Sequence, residues 1–145
     1  MEIIIGADHG GFELKEKIKV MLEETLVVHD LGTYTKDSVD YPDYAEKVCE
    51  MVLATDNSLG ILICGTGIGI SMAANKIKGI RAALCNNEFM AKMGRMHNNA
   101  NVLALGERVL GDELSKEIVK TFISTEFEGG RHERRVDKIS LIEEA

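Results

Sequence analysis

The chain has no tryptophan, a single proline and only three cysteines in 145 residues. Cys49, Cys64 and Cys85 are widely spaced, odd in number and without a Cys-x-x-Cys pair, so they fit neither a disulfide framework nor a zinc site. Basic residues are also scarce: 17 Lys and Arg stand against 24 Asp and Glu, a formal net charge of -7. A general nucleic-acid binder would show the opposite balance. No apolar run approaches the length of a membrane span. The opening Met1-Glu2 runs straight into Ile3–Ile5, with neither a basic leader nor a long apolar stretch behind it. Together these absences predict a cytoplasmic protein with reduced thiols whose partners are neither nucleic acid nor membrane.

What is present is an ordinary globular composition, 45% hydrophobic and 28% charged. The length suits one domain over residues 1–145 with a single sizeable core. Short apolar runs alternate with helical patterns five times. The runs are Ile3–Ile5, Leu26–His29, Ile61–Ile63, Ala82–Leu84 and Val102–Leu105, apolar on consecutive positions as in strands buried on both faces. Between them Leu14, Ile18, Met21 and Leu22 recur at helical spacing, as do Ala45, Val48, Cys49, Val52 and Leu53, and later Leu114, Ile118 and Phe122. Pro42 stands where the second helix should begin. Beyond Gly129-Gly130, Val136, Ile139 and Ile142 predict a last helix, able to dock on this sheet or on another subunit. The expected fold is α/β and Rossmann-like, three layers around a central, mostly five-stranded parallel sheet. In such a sheet ligands bind beyond the carboxyl ends of the strands.

The residues at those ends carry chemistry. The first run leads into Gly6-Ala7-Asp8-His9-Gly10-Gly11, where Asp8 and His9 are either a polar site wall or a helix cap beside an exposed ring. The third leads into Cys64-Gly65-Thr66-Gly67-Ile68-Gly69-Ile70-Ser71. Three glycines in five residues let backbone N–H groups converge on a negative charge at a helix start. No lysine follows the last glycine, so this is no Walker A loop, and the dinucleotide pattern fails at Ile70 and belongs after the first strand. What survives is a cradle for a small oxyanion. Cys64 directly before it sits where amides and a helix end favour a thiolate, able to act as a nucleophile or a base. Its alternative is a small buried hydrophobe, the reading given to Cys49 and Cys85. His97-Asn98-Asn99-Ala100-Asn101 offers amides and an imidazole to hydroxyl groups, or simply ends a helix. Met90, Met93 and Met96 read as core or interface packing. Arg131 and Arg135, four apart, fork onto a phosphate if helical, or form a solvated helix start. Arg108 is a further cation beyond the fifth run.

Over essentially its whole length the chain resembles the ribose-5-phosphate isomerase B family, which includes the galactose-6-phosphate and allose-6-phosphate isomerases. Six motifs in order carry the resemblance: Asp8-His9-Gly10-Gly11, Asp40-Tyr41-Pro42-Asp43, the Cys64–Gly69 loop, Gly79-Ile80-Arg81-Ala82-Ala83, His97–Asn101 and Gly129-Gly130-Arg131-His132. The resemblance implies an aldose–ketose isomerase interconverting ribose 5-phosphate and ribulose 5-phosphate, a step of the pentose phosphate pathway, without metal or other cofactor. It implies that Cys64 moves the proton between C2 and C1. Relatives lacking this cysteine use a glutamate further along; Ser71-Met72-Ala73-Ala74 holds no acid. It further implies that the Gly65, Gly67 and Gly69 amides stabilise the enediolate and that Thr66 handles a hydroxyl proton. His97 with Asp8 would open the sugar ring; His9, Arg108, Arg131 and Arg135 would hold the phosphate and Asn98 a sugar oxygen. A homodimer or homotetramer with shared sites is implied, some of His97, Asn98 and Arg108 acting across an interface and residues 131–145 able to dock on a neighbour. Isomerisation of a six-carbon sugar phosphate, a non-catalytic phosphosugar sensor and a cysteine hydrolase using Cys64 and His97 are the competing readings.

Overall fold

The computed structural model describes residues 1–145. Strands and helices follow in the order β1 (Glu2–Ala7), α1 (Phe12–Glu23), β2 (Val27–Asp30), α2 (Tyr41–Ala54), β3 (Ser58–Cys64), α3 (Ile68–Ala74), β4 (Ala82–Leu84), α4 (Glu88–Met96), β5 (Val102–Gly106), α5 (Asp112–Ser124) and α6 (Arg131–Glu143). All strand pairs are parallel, in the spatial order β2-β1-β3-β5-β4. The expected five-stranded, three-layer α/β architecture is therefore the observed one. No helix is long and apolar enough to cross a membrane.

Because strand side chains alternate in direction, the isoleucine runs feed two cores. Ile3, Ile5, Ala7, Leu59, Ile61 and Ile63 pack under Leu14, Ile18 and Leu22 of α1 and Ile118, Val119 and Phe122 of α5. Ile4, Leu62 and Cys64 face the other way, against Ala45, Val48, Cys49 and Val52 of α2 and Ile70 and Ala74 of α3. The strands outrun the apolar segments that signal them: β1 is paired from Glu2, opposite Ser58, through Ala7, opposite Ile63. Backbone bonding continues where the side chains cease to be large.

Some expected packing positions differ. Leu53 and Leu114 are 50% and 38% exposed, at the edges of their helical stripes. On α4 the buried residues are Ala91 and Gly94 rather than the methionines. A Cβ on Gly94 would lie 3.3 Å from that of Ala83, so the helix approaches the sheet through its smallest residues. Conversely, Lys15 is completely buried. Its ammonium donates to Asp30 at 2.6 Å and to Glu16 at 2.7 Å, with the Phe12 and Tyr34 rings 5.5 and 5.6 Å away. Burial alone would push the Asp30 carboxyl up, but Lys15, the Gly32 N–H and Lys19 outweigh it and hold the group below its ordinary range.

The connection after β1 runs to β2 on one side of the sheet and the connection after β3 runs to β4 on the other, which opens the usual ligand crevice at the carboxyl ends of β1 and β3. Asp8 and Cys64 stand there.

Candidate active site

Cys64 is the last residue of β3 and is buried. The chain beyond β5 staples the loop that follows it. The Glu107 N–H donates to the Cys64 carbonyl and the Arg108 N–H to that of Gly65, each at 3.0 Å. This lays the Arg108 side chain on the loop: a Cβ on Gly65 would sit 2.9 Å from its Nη1. The chain then turns into α3 at Gly67, whose φ of 79° is left-handed and suits glycine. That turn aims the Gly67 N–H at Cys64 Sγ, 3.1 Å away. Gly69 meets the Tyr41 ring closely enough that a Cβ would lie 2.7 Å from Cζ. Thr66 Oγ1 accepts the Ile68 N–H at 3.2 Å while the residue itself is exposed.

Across the crevice, Asp8 is also buried. Its Oδ1 accepts the Gly10 N–H at 2.9 Å, so the carboxylate holds the glycine turn before α1. It still borders the cavity of about 370 Å³ formed with Tyr41, Cys64, Gly65, Thr66, Ile68, Gly69 and Arg108. His9 is half-buried. Its Nδ1 faces the Val39 N–H at 3.1 Å, which makes Nδ1 the acceptor and assigns the ring proton of the neutral form to Nε2.

His97 and its neighbours are built separately. His97 ends α4, its N–H donating to the Met93 carbonyl at 2.8 Å. The three asparagines divide their work. Asn99 takes a left-handed conformation, φ 47°, and Asn101 binds the Arg81 N–H and the Gly79 carbonyl. Only Asn98 is exposed, and it borders a different cavity, of about 480 Å³, between β4 and α6. Arg131 and Arg135 stand exposed on the first turns of α6. The structure thus gathers Asp8, Cys64, Gly65, Thr66, Gly69 and Arg108 around one cavity. His97, Asn98, Arg131 and Arg135 are not among its lining residues.

Sequence reasoning assigned no role to Tyr41 or His132. Tyr41 was visible only as a member of the Asp40-Tyr41-Pro42-Asp43 motif. His132, beside the more conspicuous arginines, lies buried with its ring stacked on that of His97, centroids 4.1 Å apart. Donor atoms of His97, Glu128 and His132 all fall within 4.8 Å of one another, a grouping the sequence spacing did not suggest. The other two thiols are core residues: burial pushes Cys49 up to about 12 and Cys85 up to about 11.

A family model described as ribose/galactose isomerase matches residues 3–139. Ribose-5-phosphate isomerase B of Escherichia coli is 47% identical over 144 residues, spanning 99% of this chain and 97% of that one. Among solved structures, ribose-5-phosphate isomerase B of Clostridium thermocellum is 54% identical with a TM-score of 0.96, covering 99% of this chain and 98% of its own. The type B ribose 5-phosphate isomerase of Trypanosoma cruzi is 44% identical with a TM-score of 0.94, covering 99% of both chains. A full-length family match, identities well above 30% and coincident folds agree, and the chain belongs to the ribose/galactose isomerase family.

Proposed function

We propose that this protein interconverts ribose 5-phosphate and ribulose 5-phosphate, with Cys64 as the base that carries the proton between C2 and C1. The observation that carries the reading is the Gly67 N–H directed at Cys64 Sγ across 3.1 Å. It leaves the sulfur an acceptor beside a group of amides suited to an oxyanion. The thiolate removes the proton from the carbon next to the carbonyl. The loop amides take the charge that develops on oxygen, Thr66 handles a hydroxyl proton, and the thiol returns its proton to the neighbouring carbon. Arg108, lying on the loop, takes the phosphate together with His9, whose Nε2–H is the free donor.

His97 with Asp8 opens the furanose ring, Asn98 holds a sugar oxygen, and Arg131 and Arg135 complete the phosphate grip. Since these four residues other than Asp8 lie away from the cavity around Cys64 in one chain, they reach it from a neighbouring copy in a homodimer or homotetramer. Ile68 and Met72, four apart on α3, and Phe89 of α4 are exposed, and such an assembly would cover them. Residues 1–145 act as one domain, in the cytoplasm, with the outer face of α6 available to a neighbour.

The test is a panel of ribose, allose and galactose phosphates assayed with the wild type and Cys64→Ala. Preference for the five-carbon sugar and loss of turnover with binding retained support the reading. A six-carbon preference reassigns the substrate, and near-normal turnover of Cys64→Ala overturns the base.

A further inference from the structure

We infer that His132 is a positioning residue for ring opening, holding the His97 imidazole in its working orientation by stacking face to face with it. The two rings lie 4.1 Å apart and within 13° of parallel.

The chain builds this stack with several independent ties. Arg95 Nε, in the last turn of α4, donates to the Thr125 carbonyl at 3.0 Å, and the Glu128 N–H donates to the Met96 carbonyl at 3.1 Å. The segment after α5 is therefore laid along the end of α4. Gly129 and Gly130 then reverse it through φ values of 70° and 56°, which glycine adopts readily. The His132 N–H closes that reversal on the Gly129 carbonyl at 3.1 Å. The result places His132, in the first turn of α6, over a ring fixed at the end of α4.

His132 is not held there by its nitrogens. Its Nε2 is buried and has no hydrogen-bond partner, and the nearest carboxylate oxygen, of Glu128, is 3.9 Å away. Burying an unsatisfied polar atom is costly, so the flat face of the ring is what the position uses. Burial and the neighbouring His97 both push the His132 imidazole down, with Arg131 and Arg135 adding to them against Glu128. A neutral His132 leaves His97 free to carry the proton without facing a second cation. The same donors could be taken for a metal site, but near-parallel rings send their in-plane lone pairs side by side. A shared ion at ordinary zinc–nitrogen distance needs those lone pairs to converge.

The inference rests on the ring-opening role proposed for His97, and the experiment separates the two. Ribose 5-phosphate enters as a closed ring, whereas ribulose 5-phosphate cannot form a furanose and is already open. Turnover of ribose 5-phosphate and solvent deuterium exchange into ribulose 5-phosphate are measured for His97→Ala, His132→Ala, His132→Phe and His132→Asn. His132→Ala should lower ribose kcat by up to about tenfold, the worth of a stacked pair, with KM and exchange changed far less. His132→Phe, a ring without nitrogens, should recover most of the rate, and His132→Asn, a polar group without a ring, should not. If His132→Ala fails to fold, the Phe–Asn comparison still decides. Equal rates for those two, or a ribose-selective loss in His97→Ala with none in His132→Ala, overturn the stacking inference alone. An unaltered ribose rate in His97→Ala overturns the ring-opening role beneath it.

Discussion

The Gly67 N–H donates to Cys64 Sγ at 3.1 Å, and Gly67 does so from a left-handed backbone at φ 79°. A side chain at this position is opposed twice. The conformation costs an L-residue about 1–2 kcal/mol, and a Cβ would lie 2.9 Å from the Leu105 carbonyl carbon and 2.5 Å from Leu84 Cδ1. Gly67→Ala should therefore lower both the melting temperature and kcat. A variant as stable and active as the wild type would show that the turn is not what aims the donor.

Arg108 touches the loop from the end of β5, within 2.9 Å of where a Gly65 Cβ would stand. A hydrogen bond to a charged group contributes about 1.5–3 kcal/mol. Arg108→Gln should accordingly raise KM for the sugar phosphate by about tenfold or more, with a smaller effect on kcat. Steady-state kinetics read this directly, and an unchanged KM removes Arg108 from the phosphate grip.

His9 can be dissected by shape. With Nδ1 engaged by the Val39 N–H, only Nε2 is free to donate to substrate. Glutamine places its amide nitrogen near the Nε2 position and asparagine near Nδ1. His9→Gln should retain substrate affinity better than His9→Asn, as measured by equilibrium binding. The reverse order would mean that the Val39 contact, not the Nε2–H, is what binding needs.

The buried Lys15–Asp30 pair gives the fold a pH dependence. The ordinary aspartate value is 3.8, and in the folded chain Asp30 titrates below it. Its contribution to stability is therefore complete above the ordinary value and is lost as pH falls through the lower, folded one. Lys15→Met removes the closest cation from Asp30 and leaves it the Gly32 N–H and Lys19 at 3.3 Å, so it should destabilise by up to about 3 kcal/mol, while Lys15→Met with Asp30→Leu should recover most of it. Denaturant unfolding at neutral pH checks the pair, and repeating it at acid pH should show a smaller penalty for Lys15→Met.

Lys15 also marks where reading the sequence stops. Its neighbours in sequence include Glu13, Glu16 and Lys17, and its neutralising partner Asp30 is fifteen residues away at the end of β2. Side chains that pair through the fold leave no local signal. By contrast, the order of strands and helices and the glycine turn after Cys64 were legible, because apolar runs and glycine spacing act within a few residues. Of the two readings of Asp8, the cap fails, since the N-cap of α1 is Gly11, without a side-chain cap, while the residue does border the cavity beside Cys64. His132 was not legible, since its partner ring on His97 is reached only after the reversal at Gly129-Gly130. Of the two readings of the α4 methionines, core packing fails, because helical spacing reports a face but not how near that face approaches the sheet; Ala91 and Gly94 make the approach.

The central claim is that Cys64 is the base, and solvent deuterium exchange at C1 of ribulose 5-phosphate tests it most directly. The wild type should incorporate deuterium on the timescale of turnover. Cys64→Ala should bind the sugar phosphate with similar affinity yet exchange slower by about 10²–10⁴-fold, the usual worth of a positioned base. Exchange by Cys64→Ala at the wild-type rate would contradict the account.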